Sequence, residues 1–392
     1  MKQTAILGWA SVVALVAMGC TDEGEADTTG TSGPGVGGGT TTSSSGGGGA
    51  GQGGGATGGG GAAPMPCLGA DASADVFGIA RTDLCVVAVY DAPALELAAY
   101  GTTPTWGTHG GPLTYDADPS TATIYRWTIA GASLTATPED VTLSGIPADA
   151  YFGPQVIDPS GAPIFSWTGA SFMTAGGIVV DDLGTGASTT TIGVFGLASG
   201  PTLRFYFTGL GKMGAAAGST GLFAGKVIET PRAISIADDG AIDAWGLASG
   251  PVTLDSDANA FAIQTDYNAG TQEVRAFAAD DIGVGDPAVV GTPLATLSGS
   301  GDAMAAMAPA GAAPGLVLLQ PNDATTFAHG DVVAIEYVEN GSAIAPQGTP
   351  GPALTLTTAD TNLTLMTDPD GRLWVGATNP AGGSTFYVIR RK

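Results

Sequence analysis

Three short runs of oxygen-bearing side chains are the places in this chain where residue type and spacing suggest chemistry: Asp116 with Asp118, Asp255 with Asp257 and Asn259, and Asp368 with Asp370. Closely spaced carboxylates and amides on loops are what a hard cation requires, so calcium is the cofactor they point to. The Asp255 run begins as an EF-hand loop does and then departs from it. Ala260 stands in the glycine position, and Asp266 stands where the bidentate Glu belongs. These aspartates also sit among Pro, Ser and Gly, and turns recruit Asp for their own hydrogen bonds, so solvated turn residues are the competing reading. Trp106, in Trp106-Gly107-Thr108-His109-Gly110-Gly111, is the aromatic best placed to stand exposed and stack on a ligand ring.

Catalytic sets are scarce. No Gly-x-Ser-x-Gly elbow occurs, and the histidines, His109 and His329, lie in separate turn or strand-entry settings rather than beside a nucleophile. Gly209-Leu210-Gly211-Lys212-Met213 lacks the spacing and the Ser/Thr of a phosphate loop. No catalytic residue is therefore assigned. A glycosidase needs only two carboxyls at a suitable separation, and 36 acidic residues supply many pairs. An extracellular carbohydrate-active hydrolase or lyase accordingly stands as the alternative to a non-catalytic protein.

The cysteines speak to compartment. Lys2 opens the chain, Ala5 to Met18 is a nearly unbroken apolar run, and Gly19-Cys20 closes it, which reads as a secretory signal over residues 1–19. Cys67 and Cys85 remain, and in an oxidising compartment they are most simply a disulfide, worth roughly 3 kcal/mol for a loop of that size. From Thr21 the chain is acidic, then Gly, Ser and Thr through Gly61, with almost nothing to bury. Such a tether of about 45 residues spans roughly 35–40 Å. The Gly19-Cys20 junction resembles a bacterial lipobox, with Ala17 where Leu is usual. Together with the low-complexity run, it makes the first 65 or so residues similar to those of surface lipoproteins of Gram-negative bacteria such as myxobacteria. That resemblance implies lipidation of Cys20, a tether over 20–65, and anchoring at the outer membrane or cell surface, a periplasm-facing placement being the alternative. Thr21 after the cysteine, rather than Asp, leans the same way.

A net charge of −24, from 12 basic and 36 acidic residues, repels phosphate backbones, so nucleic acid is not an expected partner. Sixty-four glycines and few Glu or Lys disfavour helices. Residues 66–392 instead repeat a hairpin pattern, an alternating strand meeting an Asp/Pro/Gly turn and a second strand ending on an aromatic. It occurs at Leu113–Trp127, Val156–Trp167, Ile234–Trp245 and Leu363–Trp374, with weaker copies at Asp182–Phe195, Asp266–Phe277 and Glu339-Asn340-Gly341. The hexapeptide Gly196–Pro201 recurs unchanged as Gly246–Pro251. The anchors Trp127, Trp167, Phe195, Trp245, Phe277, Tyr337 and Trp374 recur about every 41 residues, within the range of four-stranded propeller blades. The expected fold is all-β, a β-propeller of about seven blades, with the strand near Cys85–Tyr90 closing the last one. Two to three stacked β-sandwich domains are the alternative. Thr208–Thr220 and Gly299–Gly315 read as surface loops. The function expected is a lipid-anchored, non-catalytic envelope protein presenting a rigid β domain to an envelope polysaccharide or protein, or one that is purely structural.

Overall fold

A computed structural model describes Met65–Lys392 apart from connecting stretches, the longest being 212–218 and 279–290, and across 153–250 it describes backbone alone. Cys20, the signal segment and the tether lie outside the described residues. Apart from a 3-10 turn at Ala70–Ser73, the described secondary structure is β-strand.

The chain enters through β1 (Phe77–Ile79) and β2 (Leu84–Ala92), then folds into successive antiparallel meanders. The first holds β3 (Thr105–Gly107), β4 (Gly111–Ala117), β5 (Thr121–Ala130) and β6 (Ser133–Thr142). The second holds β7 (Tyr151–Ile157), β8 (Pro163–Thr168), β9 (Ala175–Asp181) and β10 (Gly184–Ala187). The third holds β11 (Gly193–Ser199), β12 (Arg204–Gly211), β13 (Ser219–Ile228) and β14 (Ala233–Ala244). The fourth holds β15 (Ala248–Leu254), β16 (Ala260–Asp266), β17 (Thr271–Phe277) and β18 (Thr292–Ser298). The fifth holds β19 (Ser300–Met307), β20 (Gly315–Asn322), β21 (Val332–Asn340) and β22 (Ala343–Leu356), with β1 added outside β22. The last holds β23 (Leu363–Thr367), β24 (Leu373–Thr378) and β25 (Ser384–Arg391), and β2 completes it by pairing with β25 from Leu84↔Arg391 to Ala92↔Ser384.

The first strands of the meanders touch in cyclic order, β3 to β7, β7 to β11, β11 to β15, β15 to β19, β19 to β23, and β23 back to β3. That order is a closed β-propeller, sealed by the N-terminal strand β2 as expected, with six units among the described residues rather than about seven. β14 also pairs with β9 and β2 with β6, so two pairs of neighbouring units share a sheet. The extra anchor comes from Ile234–Trp245. There Asp238-Asp239-Gly240 is not a hairpin turn but an irregularity within β14, whose register against β13 jumps between Phe223↔Ala241 and Gly225↔Ile236. Turn-forming residues also suit a bulge, where the backbone leaves the ladder. The hexapeptide repeat falls on first strands of successive units, ending β11 and starting β15, so its register differs between the two.

Gly299–Gly315 is not a loop. Met304, Ala305, Ala306 and Met307 are buried on β19, a strand packed on both faces. Ala305 and Met307 face the core between the fifth and last units with Leu316, Leu318, Leu365 and Val375. Met304 and Ala306 face the core between the fourth and fifth with Phe261, Val274 and Leu319. A strand covered on both sides shows no alternation of apolar and polar residues, and small side chains let the flanking sheets approach. Thr208–Thr220 belongs partly to β12 and β13. The remaining described cores likewise lie between neighbours. One joins the last unit to the first through Trp374, Phe386, Trp127 and Leu134, and one joins the first to the second through Tyr115, Ile124 and Phe152. Each large apolar side chain so buried stabilises the seams by about 1.5–3 kcal/mol.

Because each unit has four strands, the turns between its first and second strands and between its third and fourth gather at one end of the ring. The turns between second and third strands, and the connections from unit to unit, gather at the other. β2 starts at the first of these ends. Residues 65–68 are fastened beside it by a Cys67–Cys85 disulfide (Cα–Cα 5.6 Å), Leu68 N–H donating to the Val86 carbonyl at 2.8 Å, and Arg390 Nε donating to the Met65 carbonyl at 3.0 Å. Arg81 pins the same corner to the fifth unit, pairing with Asp83 at 2.9 Å and Glu336 at 2.8 Å.

Candidate functional site

The three acidic runs do not converge. Each is used by the turn it sits in. Asp118 lies between β4 and β5, where one carboxylate oxygen takes the Ser120 hydroxyl at 2.6 Å and the Ser120 and Thr121 N–H groups at 2.7 and 2.9 Å. The Ser120 hydroxyl and these amides draw its pKa down to about 2. Asp116 is simply exposed at the end of β4. Asp368, buried between β23 and β24, takes the N–H groups of Asp370 and Arg372 on Oδ1, at 3.0 and 2.9 Å. Its Oδ2 takes Arg372 Nε at 2.7 Å and Trp374 Nε1 at 2.8 Å. Asp370 is an exposed partner of Arg372 at 2.7 Å. The oxygens of Asp118 and Asp368 take protein donors, and no group of three His, Cys, Asp or Glu among the described residues is arranged to hold a metal ion.

Trp106 is half-buried rather than exposed, its ring 4.8 Å from that of Trp374, which also stacks on Tyr90 at 5.6 Å. It belongs to the packing between the last and first units. His109 turns its Nε2–H onto the Trp127 carbonyl at 3.0 Å, since a carbonyl can only accept. Its ring fills the space in which a side chain on Gly107 would stand. The His329 N–H donates to Asp360 Oδ1 at 2.9 Å.

The third run is different, because it is joined by residues from another unit. Asp255 begins the turn between β15 and β16, and its N–H closes that turn on the Asn259 carbonyl at 3.1 Å. Its Oδ1 takes the N–H groups of Asp257 and Asn259 at 3.0 and 2.9 Å. Its Oδ2 takes Asn259 Nδ2 at 3.0 Å and the phenol of Tyr337, a fully buried side chain of β21. The other proton on Asn259 Nδ2 goes to Glu339 Oε1 at 2.7 Å. One buried amide therefore bridges two carboxylates, one from the fourth unit and one from the fifth.

Burial raises the pKa of Asp255 against its hydrogen bonds, and burial followed by the charges of Asp255 and Asp257 raises that of Glu339. Tyr337 is pushed far up by burial and by Asp255, so it stays a donor at every physiological pH. Clustered perturbed groups of this kind mark functional sites more often than other surface does. Asp255, Asp257 and Asn259 stand out in the sequence, whereas Tyr337 reads there only as an apolar anchor and Glu339 only as a hairpin end. Their partners lie 82 and 80 positions away. No local signal links them.

No family model matches the chain, and no curated protein matches it. Solved structures similar to it include an alpha-L-arabinanase of Penicillium chrysogenum complexed with arabinobiose (8% identity, 78% of this chain, 98% of that one, TM-score 0.44). The WD40 domain of Toxoplasma gondii coronin is similar at 9% identity over 80% of this chain and 88% of that one, with a TM-score of 0.42. Domains 1-2 of Drosophila semaphorin 1b follow at 10% identity over 77% and 86%, with a TM-score of 0.38. None of them assigns a residue here, and the ring architecture stands on its own strand order.

Proposed function

We propose that this chain is an exported, lipid-tethered binding protein of the bacterial envelope, in which a rigid six-unit β ring is held off the membrane and engages a polysaccharide or protein there. The Cys67–Cys85 bridge carries the reading. It suits an oxidising compartment, and it fastens the entry of the ring to the strand that seals it, so a pull through residues 20–65 loads the disulfide rather than the ladder of β1. The entry lies where β2 begins, which leaves the opposite end, with the 2–3 turns and the unit-to-unit connections, as the presented surface. Asp118 and Asp323 sit in such turns, each tied down by its own backbone N–H groups, so the surface is stiff before it meets a partner.

The test is retention. The chain from Pro66 to Lys392, immobilised with its disulfide intact, is challenged with envelope fractions and purified envelope polysaccharides, against a denatured control. Saturable retention supports a binding module, whereas a folded ring that retains nothing sinks this reading.

A second reading, an extracellular carbohydrate-active enzyme, is favoured by one observation. Asp255 and Glu339 are two carboxyls with raised pKa values held on one amide, and glycoside hydrolysis uses a carboxyl pair with one member kept protonated. Release of reducing sugar by the native protein, lost in Glu339→Gln, supports it.

A further inference from the structure

We propose that the Cys67–Cys85 bridge is an exchange site for an external dithiol, and that opening it frees a strap of chain while the ring stays closed. The two cysteines stand in unlike surroundings. Cys67 is exposed, as is every residue from 66 to 71, whereas Cys85 is buried on β2 at 7% exposure. A thiolate attacks the sulfur it can reach, so Cys67 is the point of attack and Cys85 the leaving group. The S–S bond breaks, a new one forms between Cys67 and the reductant, and Cys85 leaves as a thiolate that takes up a proton. The second thiol of the reductant then displaces Cys67 from the mixed disulfide. Two electrons and two protons have passed to the cysteine pair, and the dithiol is left oxidised to its own disulfide.

Little else holds the strap on β2 and β25. Its other described ties before the 3-10 turn at Ala70–Ser73 are Leu68 N–H on the Val86 carbonyl, Arg390 Nε on the Met65 carbonyl, and the half-buried Met65 side chain. Two such hydrogen bonds do not offset the entropy of ordering a run of exposed residues. Past the turn the chain is fastened a second time. Ser73 is buried, and Thr357 donates its hydroxyl to the Ala74 carbonyl at 2.8 Å and its N–H to the Val76 carbonyl at 2.9 Å. Phe77 is fully buried, its ring 5.0 Å from that of Tyr387, and β1 pairs with β22 of the fifth unit.

The ring does not depend on the bridge. β2 keeps its register with β25 from Leu84↔Arg391 to Ala92↔Ser384, and Asp91 N–H keeps the Ala132 carbonyl of the first unit at 3.0 Å. Reduction therefore moves the point where the N-terminal segment is held from Cys67 to Ala74, lengthening that segment by up to roughly 24 Å when drawn out. It also shifts a pull on the segment from the sealing strand of the last unit to the outer strand of the fifth. That consequence rests on the tethered reading above, which the retention assay tests separately. The release itself needs only the fold.

The whole chain, folded and free of denaturant, is treated with dithiothreitol near neutral pH and followed by alkylation and hydrogen exchange. Cys67 is expected to alkylate as an exposed thiol and Cys85 more slowly. Exchange at the Leu68 amide should rise to within about tenfold of the rate of unstructured chain. The amides of β2 and β25, and that of Thr357, should keep their protection. Cys67→Ser combined with Cys85→Ser should give the same pattern with no reductant present. A bridge that opens only in urea, a Leu68 amide as protected after reduction as before, or β2 and β25 losing protection along with it would each overturn the proposal.

Discussion

Asp368 provides the sharpest test of how the turn carboxylates are used. In Asp368→Asn, the Oδ1 acceptor for the Asp370 and Arg372 N–H groups survives, but Oδ2 becomes an NH2 facing two donors. Arg372 keeps Asp370 at 2.7 Å and water, so its loss is small. Trp374 is nearly fully buried, and its indole N–H is left with no acceptor. An unsatisfied buried donor costs about 1–3 kcal/mol, and the opposed NH2 adds to it, so about 2–3 kcal/mol of stability should be lost. For a domain of this size that is a fall of roughly 3–4 °C in Tm. Asp368→Ala, which also strips the turn of its Oδ1 acceptor, should lose about 1 kcal/mol more. Urea unfolding followed by tryptophan fluorescence measures both, with EDTA and with added calcium. The hydrogen-bond account expects native curves to superimpose under the two conditions. A calcium-dependent rise in the native midpoint that vanishes in Asp368→Asn would refute it and restore Asp368 and Asp370 as ligands.

Other seams give further expectations. Gln320, fully buried on β20, donates to the Gly330 and Thr361 carbonyls at 3.2 and 2.8 Å and accepts from Leu363 N–H at 2.8 Å, lacing the fifth unit to the last. Gln320→Leu orphans these groups and should cost about 3–5 kcal/mol, read by chemical denaturation, whereas a loss below 1 kcal/mol would mean water replaces them. Opening Cys67–Cys85 by paired Ser substitution should cost about 3 kcal/mol and shift the midpoint without unfolding the chain at 25 °C, since β2 keeps its ladder with β25. Asp118, with its folded pKa drawn down to about 2, contributes stability that is full above the unfolded carboxylate range and fades as pH falls toward 2. Asp118→Asn should therefore flatten the acid limb of a Tm-versus-pH curve below pH 4, and an unchanged limb would contradict the turn assignment.

Much of the ring was legible because hairpin turns are local. Asp118-Pro119-Ser120 and Asp368-Pro369-Asp370-Gly371 announce themselves by residues that set φ or accept from the next two amides, and β4–β5 and β23–β24 are the hairpins they predicted. The same locality misled at Asp238-Asp239-Gly240, where identical chemistry opens a bulge inside one strand, and the count of units rose by one. β19 was lost for the opposite reason. Met304 and Met307 face different cores, so neither period two nor period 3.6 survives in the string of residues between them.

Trp106 and the Asp255 cluster mark the boundary of what a string of residues can carry. A tryptophan in a glycine-rich segment reads as exposed because glycine reads as loop, yet here the glycines admit other groups. The His109 ring occupies the space beside Gly107, and the Trp127 carbonyl lies 2.0 Å from where a Cβ on Gly111 would stand. Glycine at these two positions is a packing choice that brings β3 and β4 close enough for Trp106 to reach Trp374. Asp255 stands out in the sequence as one oxygen donor of a closely spaced run, and in the fold it has more acceptor capacity than its turn consumes. The surplus goes to Tyr337, and through Asn259 to Glu339, across a seam created only when the fourth and fifth units pack. Chemistry in a propeller of this kind arises between units, so the residues that matter are separated by about one unit or two in the chain. A search for short motifs returns the half on each side and never the pair.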